Sequence, residues 1–405
     1  MRQDISLSYT SSLIEIIEHE LGRSLEPRVR EAFLQVPRHA FLQRYYEGKI
    51  MKVAPSLSNE AEWHAWLSGI YRDQALTTQI DTRGLPTSSS SQPSVMTALL
   101  EELSTQPGHT ILEIGTGTGY NAALLATLVS DPHLVTTVDI DSTIVDVACL
   151  AIEHVVGPGV SIHAWNGIDG YAAQAPYDRI IATGSFLPIP HAWIPQLKSE
   201  GKLIMDLRGY LGGGLMTITK QSDGTAIGHF LPALRHVSFM SLRSSYKALA
   251  SPMLLKEYQQ FPLQEQVHLS PCNDAYMYAL HFSTYEQFHN EDQFEVNAWL
   301  QWGFPGLGLK WKQLSEGFIA LLTDYFTQTV VTIELKEQEI EVSVRGARPL
   351  WSEIVSAYQG WLSAKKPGLG DYTVLVDQQG KQTLHIERRE IHVEFTLAEP
   401  QGRVL

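Results

Sequence analysis

Two short stretches carry residue types whose spacing suits chemistry. Residues 86–96, PTSSSSQPSVM, place four consecutive serines directly before an apolar periodic segment, Val95, Met96, Ala98, Leu99, Leu100 and Leu103. Short hydroxyls at a helix start, beside free backbone N–H groups, suit an anionic acceptor such as a carboxylate. The plainer alternative is that Ser91 or Gln92 caps a helix whose first residue is Pro93; both can hold at once. The second stretch, LEIGTGTGY at 112–120, runs a strand into a glycine-rich turn that opens a helix. Glycine there lets the backbone approach a ligand closely. The spacing departs from the dinucleotide G-x-G-x-x-G, and Glu113 precedes the first glycine, where a carboxylate would repel a pyrophosphate. A sulfonium cofactor bearing an ammonium group meets no such repulsion. The turn therefore points to S-adenosylmethionine, with Glu113, Gly115, Thr116, Gly117, Gly119 and Tyr120 as candidate contacts.

Farther along, Val138-Asp139-Ile140-Asp141 ends the next apolar run. A carboxylate roughly 20 residues beyond the glycine turn can accept hydrogen bonds from both ribose hydroxyls. Asp141, directly before Ser142 and a helical segment, fits a capping role, which leaves the ribose to Asp139 with Ile140 beside it. After the third apolar run comes Trp165-Asn166-Gly167. The Asn166 amide oxygen can accept from an adenine amino group, while Asn-Gly is by itself a turn signal. His163, His191 and Cys272 have no partners at metal-ligand spacing, and no metal is expected.

The elements that must position these residues follow from hydrophobic period. Leu13, Ile14, Ile16, Ile17 and Leu21, then Val29, Ala32, Phe33 and Val36, recur at helical spacing, so residues 1–85 read as mainly helical. From residue 107 to about 207 short apolar runs alternate with helical segments, at Thr110–Ile114, Val135–Val138, Val160–Ile162, Arg179–Ala182 and Gly201–Met205. Such alternation implies an α/β fold with a mostly parallel sheet covered on both faces. Leu215–Thr219 and His236–Met240 read as later antiparallel edge strands. Beyond about residue 245 the pattern changes to an α+β module, with hairpins at Thr332–Val344 and Tyr372–Ile386 around a helix at Trp351–Leu362. The expected division is 1–245 for the catalytic domain, with its core at 86–245, and 246–405 for a C-terminal domain.

Composition narrows the classes. The 405 residues are 44% hydrophobic and 18% charged, as in ordinary globular proteins. A net charge of -14 argues against nucleic acid, whose phosphates require a basic face. Two cysteines far apart, no leader-like amino terminus and no apolar run near the ~20 residues of a membrane span lead us to expect a cytoplasmic protein.

The same residues resemble one family, the protein-L-isoaspartate (D-aspartate) O-methyltransferases. Val36-Pro37-Arg38-His39-Ala40-Phe41 is similar to its VPRHxF, and Leu112 to Tyr120 to its LEIGTGSGY. Asn166 to Asp178 resembles DGxxGxxxxAPYD, and Ile181 to Ile204 resembles xVTAAAxxIPxxLxxQLxxGGxLV. The likeness spans about residues 25–225. It implies a Rossmann-like class I S-adenosylmethionine-dependent methyltransferase, acting on aspartyl or isoaspartyl carboxylates of a peptide or protein. The family's TISQP aligns with Ser89-Ser90-Ser91-Gln92-Pro93, which carries its functional serine to Ser91 and its threonine position to Ser89. Ser90 stands in place of the isoleucine and adds a hydroxyl, so all three serines enter the candidate acceptor site. Asn166 and Gly167 align with the adenine-side Asp-Gly, the aspartate being Asn166 here.

The serine-rich run and long tail, with Arg348-Pro349-Leu350-Trp351 and Lys366-Pro367-Gly368, also resemble a bacterial subgroup that matures ribosomally made peptides such as lanthipeptides and graspetides. There methyl esterification of an aspartate leads to a succinimide or isoaspartate, so the resemblance implies a ribosomally made precursor peptide as substrate, with housekeeping repair of isoaspartyl residues in proteins as the alternative. Trp302, Trp311, Trp351 and Trp361 can be read as a peptide-binding face or as the core of the tail. The helical spacing of Trp351, Ile354, Tyr358 and Trp361 favours core. Two rivals remain: an N-methyltransferase on the same fold, and a module that binds without turnover. Where the first often carries an Asn/Asp-Pro-Pro-Tyr-like element, this chain reads Ala182 to Pro188.

Overall fold

A computed structural model describes residues 2–56, 59–242, 260–270, 291–313, 318–336, 339–388 and 391–397. Cys272 lies outside them.

The chain opens with helices α1 (Arg2–Leu21) and α2 (Pro27–Gln35), then α3 (Glu60–Ile70). The segment expected to be mainly helical also holds three strands. The hairpin β1 (Arg44–Glu47) and β2 (Ile50–Val53) turns through Gly48 at φ +59°, and β3 (Leu76–Ile80) follows α3. The serine run is itself a strand, β4 (Pro86–Ser90), which completes an antiparallel sheet of order β2-β1-β3-β4. Its register pairs Leu76 with Ser90 and Thr77 with Ser89. Helix α4 (Pro93–Leu103) starts at Pro93 as expected, with Gln92 at the cap position but no capping bond from its side chain. The cap comes from elsewhere: the Asp73 carboxylate accepts from Ser94 N at 2.7 Å and from Gln92 Nε2 at 3.0 Å.

The alternating segment forms β5 (Ile111–Ile114), α5 (Tyr120–Val129), β6 (Val135–Asp139), α6 (Ser142–Val156), β7 (Ser161–Ala164), β8 (Tyr177–Phe186) and β9 (Leu197–Arg208). Every residue of β5 is buried, as expected of a central parallel strand covered on both faces. Helix α5 is apolar nearly all round and packs between α2 and α6.

Strands β5 to β9 pair in parallel, in the order β7-β6-β5-β8-β9. The sheet as a whole is mixed, which corrects the expectation of a mostly parallel one. Past β9 the chain returns by tight turns, and a tight turn can only join antiparallel neighbours. Strand β10 (Gly213–Lys220) pairs antiparallel with β9, and β11 (Ala226–Phe230) pairs antiparallel with β10. The second late strand is thus Ala226–Phe230, set by a turn at Asp223-Gly224 with Gly224 at φ +88°, whereas His236–Met240 forms no strand.

The tail continues the same sheet. Strand β17 (Tyr372–Val376) pairs with β11, followed by β18 (Gln382–Arg388) and β19 (Ile391–Leu397), so ten strands run in the order β19-β18-β17-β11-β10-β9-β8-β5-β6-β7. The expected boundary at residue 245 therefore falls between strands that share one sheet. A separate antiparallel sheet, β12-β16-β15-β14-β13, holds β12 (Leu263–Leu269), β13 (Leu307–Gln313), β14 (Phe318–Asp324), β15 (Thr329–Lys336) and β16 (Glu339–Arg345). Helices α7 (Glu291–Gly303) and α8 (Leu350–Ser363) pack against each other beside it. Trp302, Trp351 and Trp361 are buried in one apolar core with Trp193 and Leu203 of the catalytic half, and Trp311 packs against it partly exposed. Two buried amides tie the halves together. Gln382 accepts from Ile189 N and donates to Ile189 O, at 2.9 and 2.6 Å. Gln301 accepts from Leu211 N and donates to the carbonyls of Phe304 and Pro305. Among the described residues no helix is long and apolar enough to cross a membrane.

Candidate active site

The chain crosses from β7 back to β8 on the far side of β5, so a crevice opens at the carboxyl ends of β5, β6 and β8. Such a switch point is where open α/β sheets hold ligands. Here it is a cleft lined by the serine strand, the glycine turn and the ends of β6 and β8.

The glycine turn shapes one wall. Gly115 adopts φ +98°, and a Cβ there would lie 2.6 Å from Thr183 Oγ1. Gly117, at φ +52°, passes the serine strand so closely that a Cβ would sit 3.3 Å from Ser89 O. Both line the cleft. Gly119 does not: at φ +84° it caps α5 and packs against Ile152 and Ala148. Asp139 stands at the end of β6 and lines the cleft with Ile140. Its Oδ2 accepts from Gly117 N at 3.1 Å and its Oδ1 from Asp141 N at 3.1 Å, so the carboxylate is fixed against the turn. Asp141 caps α6 through Thr143 N, as its position predicted.

Three sequence-selected residues of the turn point into the protein. Glu113 is fully buried, accepting from Thr137 Oγ1 and Asn121 Nδ2 at 2.7 Å each. Burial pushes its carboxyl up to about 7, against the opposing effect of those two bonds. Thr116 is buried beside it, its hydroxyl 2.7 Å from that of Thr137. The Tyr120 ring sits among Phe33 and Phe41, and burial raises its phenol well above the usual range. On the far side, Gly167 lines the cleft, its carbonyl accepting from Trp193 Nε1 at 2.8 Å. The Asn166 side chain folds back onto its own turn, bonding Asp169 Oδ2 at 3.1 Å.

The pleat sorts the serines. Strand side chains alternate between faces, and Ser88 and Ser90 are buried while Thr87, Ser89 and Ser91 are half-buried. Thr87, Ser89 and Ser91 line the cleft, and so does the buried Ser88, at an irregularity in the β3–β4 pairing. Ser90 turns the other way, its hydroxyl 3.4 Å from the Arg38 guanidinium. The helix start offers the acceptor less than expected, since Asp73 already takes Ser94 N–H.

Sequence reasoning passed over the fourth wall. Thr183, inside the segment compared with VTAAA, lines the cleft and donates to Gly115 O at 2.9 Å. Met240, Ser241 and Leu242 close the rim. This stretch is pinned at both ends. Ser185 N donates to Met240 O and Leu242 N to Ser185 O, at 2.9 and 3.0 Å. The buried Asp206 carboxylate accepts from Phe239 N at 2.9 Å, while its neighbour Arg208 donates to Val237 O. Its signal lay in Gly184, where a Cβ would lie 2.6 Å from Leu242 Cγ.

The residues present fit S-adenosylmethionine. Gly115 and Gly117 carry the backbone past Thr183 and Ser89 where a Cβ would crowd in, a carboxylate stands at the ribose position, and among the described residues that line the cleft none carries the positive charge a pyrophosphate would call for.

Comparison with known proteins agrees. The model of the family described as protein-L-isoaspartate(D-aspartate) O-methyltransferase (PCMT) matches residues 9–244. Protein-L-isoaspartate O-methyltransferases of Methanopyrus kandleri and Pyrobaculum islandicum are 32% and 30% identical over 208 and 234 residues, covering 50% and 58% of this chain and 79% and 98% of theirs. That of Thermotoga maritima is 32% identical over 179 residues, 44% of this chain and half of the relative's length. A solved structure titled protein-L-isoaspartate O-methyltransferase superposes with a TM-score of 0.54 at 21% identity, covering 94% of this chain and 100% of that one. The shared fold thus extends into the tail. The chain belongs to the protein-L-isoaspartate(D-aspartate) O-methyltransferase family, whose methyl donor is S-adenosylmethionine.

Proposed function

We propose that this chain methylates the free carboxylate of an isoaspartyl residue in a peptide or protein. The observation that carries this reading is that Ser89 and Ser91 line the same cleft as Gly115, Gly117 and Asp139.

S-adenosylmethionine supplies a methyl group already activated by its sulfonium charge. Asp139 would accept hydrogen bonds from the ribose hydroxyls, and Gly115 and Gly117 would let the donor lie against the backbone. A carboxylate is ionised at neutral pH, so the site needs no general base to prepare it. Among the described residues that line the cleft, Asp139 is the one with an ionisable carboxyl, amine or imidazole group. The remaining work is to hold one acceptor oxygen in line with the methyl. Transfer neutralises the acceptor's negative charge, so a cation clamped on it would stabilise the ground state more than the transition state. Neutral hydroxyls orient the oxygen without that penalty, which suits a cleft lined by Ser89, Ser91, Thr183 and Ser241.

Maturation of a ribosomally made peptide is the second reading, and the TSSSSQP run favours it. The tail does not separate the two, because the solved structure sharing its fold is titled as an isoaspartate methyltransferase. Replacing Ser91 by Ala tests the site: kcat/KM for an isoaspartyl hexapeptide should fall about 10–100-fold. Affinity for S-adenosylhomocysteine, measured by calorimetry, should stay within twofold. Unchanged turnover would remove Ser91 from the mechanism.

A further inference from the structure

One ion pair in the catalytic half has no part in the mechanism above. Asp206 and Arg208 lie two residues apart on β9 and so share a face of that strand. The Asp206 side chain is wholly buried and that of Arg208 mostly so. Arg208 Nε donates to both Asp206 oxygens, at 3.1 and 3.0 Å. A buried ion pair offsets its desolvation only where further hydrogen bonds satisfy it. Among the described residues those bonds go to one segment. Phe239 N donates to Asp206 Oδ2, and Arg208 Nη2 donates to Val237 O, at 2.9 Å each.

That segment leads into the rim of the cleft. Val237 and Phe239 pack against the apolar core, while Ser238 and Met240 between and after them are exposed. Met240, Ser241 and Leu242 then take the edge of β8 that β5 leaves free. Strand β5 follows that edge as far as the Ile114–Ala182 pair. Beyond it Ser241 bridges Ser185 in parallel, while β9 holds the other edge of β8 through Leu207 and Phe186. Met240–Leu242 therefore stand in line with β5, past the glycine turn, on the β8 side of the cleft and away from Asp139 at the end of β6. With the ribose at Asp139, that is the end left for the methyl group and its acceptor. We propose that Asp206 and Arg208 are positioning residues for methyl transfer, holding Met240–Leu242 as the wall against which the acceptor carboxylate is aligned. This rests on the carboxyl-methyltransferase reading. A wall that sets the line between oxygen and methyl acts on kcat rather than on the grip on the cofactor.

Arg208→Met removes the bond to Val237 and leaves Asp206 without its cation. Against wild-type enzyme active on an isoaspartyl peptide, kcat counted per S-adenosylhomocysteine-binding site should fall at least tenfold, with affinity for that ligand within threefold. Arg208→Lys, which keeps the charge without the fork, should lie between the two. Gly184→Ala reaches the same wall with the ion pair left in place, since a Cβ there would lie 2.6 Å from Leu242 Cγ. It should slow kcat in the same way. An Arg208→Met enzyme with wild-type kcat, or one that loses kcat and S-adenosylhomocysteine affinity in parallel, would overturn the proposal. Should that variant not fold, wild-type kcat in Gly184→Ala would overturn it instead. A wild-type enzyme that methylates no isoaspartyl peptide while binding S-adenosylhomocysteine would overturn the reading on which the proposal rests, and the proposal with it.

Discussion

Glu113 shows how a residue chosen for its chemistry can serve the frame. It stands two residues before the first glycine of the turn, yet its carboxylate is buried with β5, bonded to Thr137 and Asn121. With its folded pKa pushed up to about 7 from 4.5, the folded protein holds this proton more tightly than the unfolded chain. Stability then falls as pH rises from about 4.5 to 7 and levels off above that. A displacement of that size corresponds to roughly 3 kcal/mol between the two protonation states. Denaturant melts of wild type and Glu113→Gln from pH 4 to 8 should therefore diverge, the wild type losing ground to the variant as pH rises. Parallel curves would mean that Glu113 ionises freely in the fold. At this scale residue type was legible but direction was not. Ser89, Ser91, Gly115, Gly117, Asp139, Ile140 and Gly167 line the cleft, whereas Ser90, Glu113, Thr116 and Tyr120 face inward. Pleat phase depends on which strand β4 pairs with, and that is a property of the assembled sheet.

Elements with their own period were readable, and those set by a partner were not. Helices α4, α5 and α6 and strands β5 to β9 fall where hydrophobic spacing put them. The serine strand has no apolar alternation to announce it, and it is a strand because β3 offers it a ladder. Strand β11 is set by the Asp223-Gly224 turn before it, a signal the run at 236–240 lacks although Val237, Phe239 and Met240 give it strand-like character. The same strand carries a consequence for stability. Ending the chain after Ser245 would strip β17 from the β11 edge and remove the Gln382 and Gln301 amides from the loops they hold. An uncovered strand edge beside exposed apolar core invites aggregation. The 1–245 fragment should be recovered in inclusion bodies, or should melt at least 10 °C below the full chain by calorimetry. A soluble monomer with an unchanged melting point would make the tail a separable module.

For the whole molecule, composition and motif order pointed to the class of reaction, while the tail's place escaped them. Pairing of β17 with β11 spans a gap in sequence that no local pattern encodes. The acidic chain carries a cleft whose described lining holds no basic side chain, is rich in hydroxyls and ends at a rim of Met240 to Leu242. That arrangement suits a small anionic acceptor approached by a positively charged donor. Incubating the full chain with methyl-labelled S-adenosylmethionine and matched isoaspartyl, aspartyl and asparaginyl hexapeptides tests this most directly. Label should pass to the isoaspartyl peptide at least tenfold faster than to the other two, and should be released by mild base, as a methyl ester is. Label that resists base, or that reaches all three peptides equally, would contradict the account.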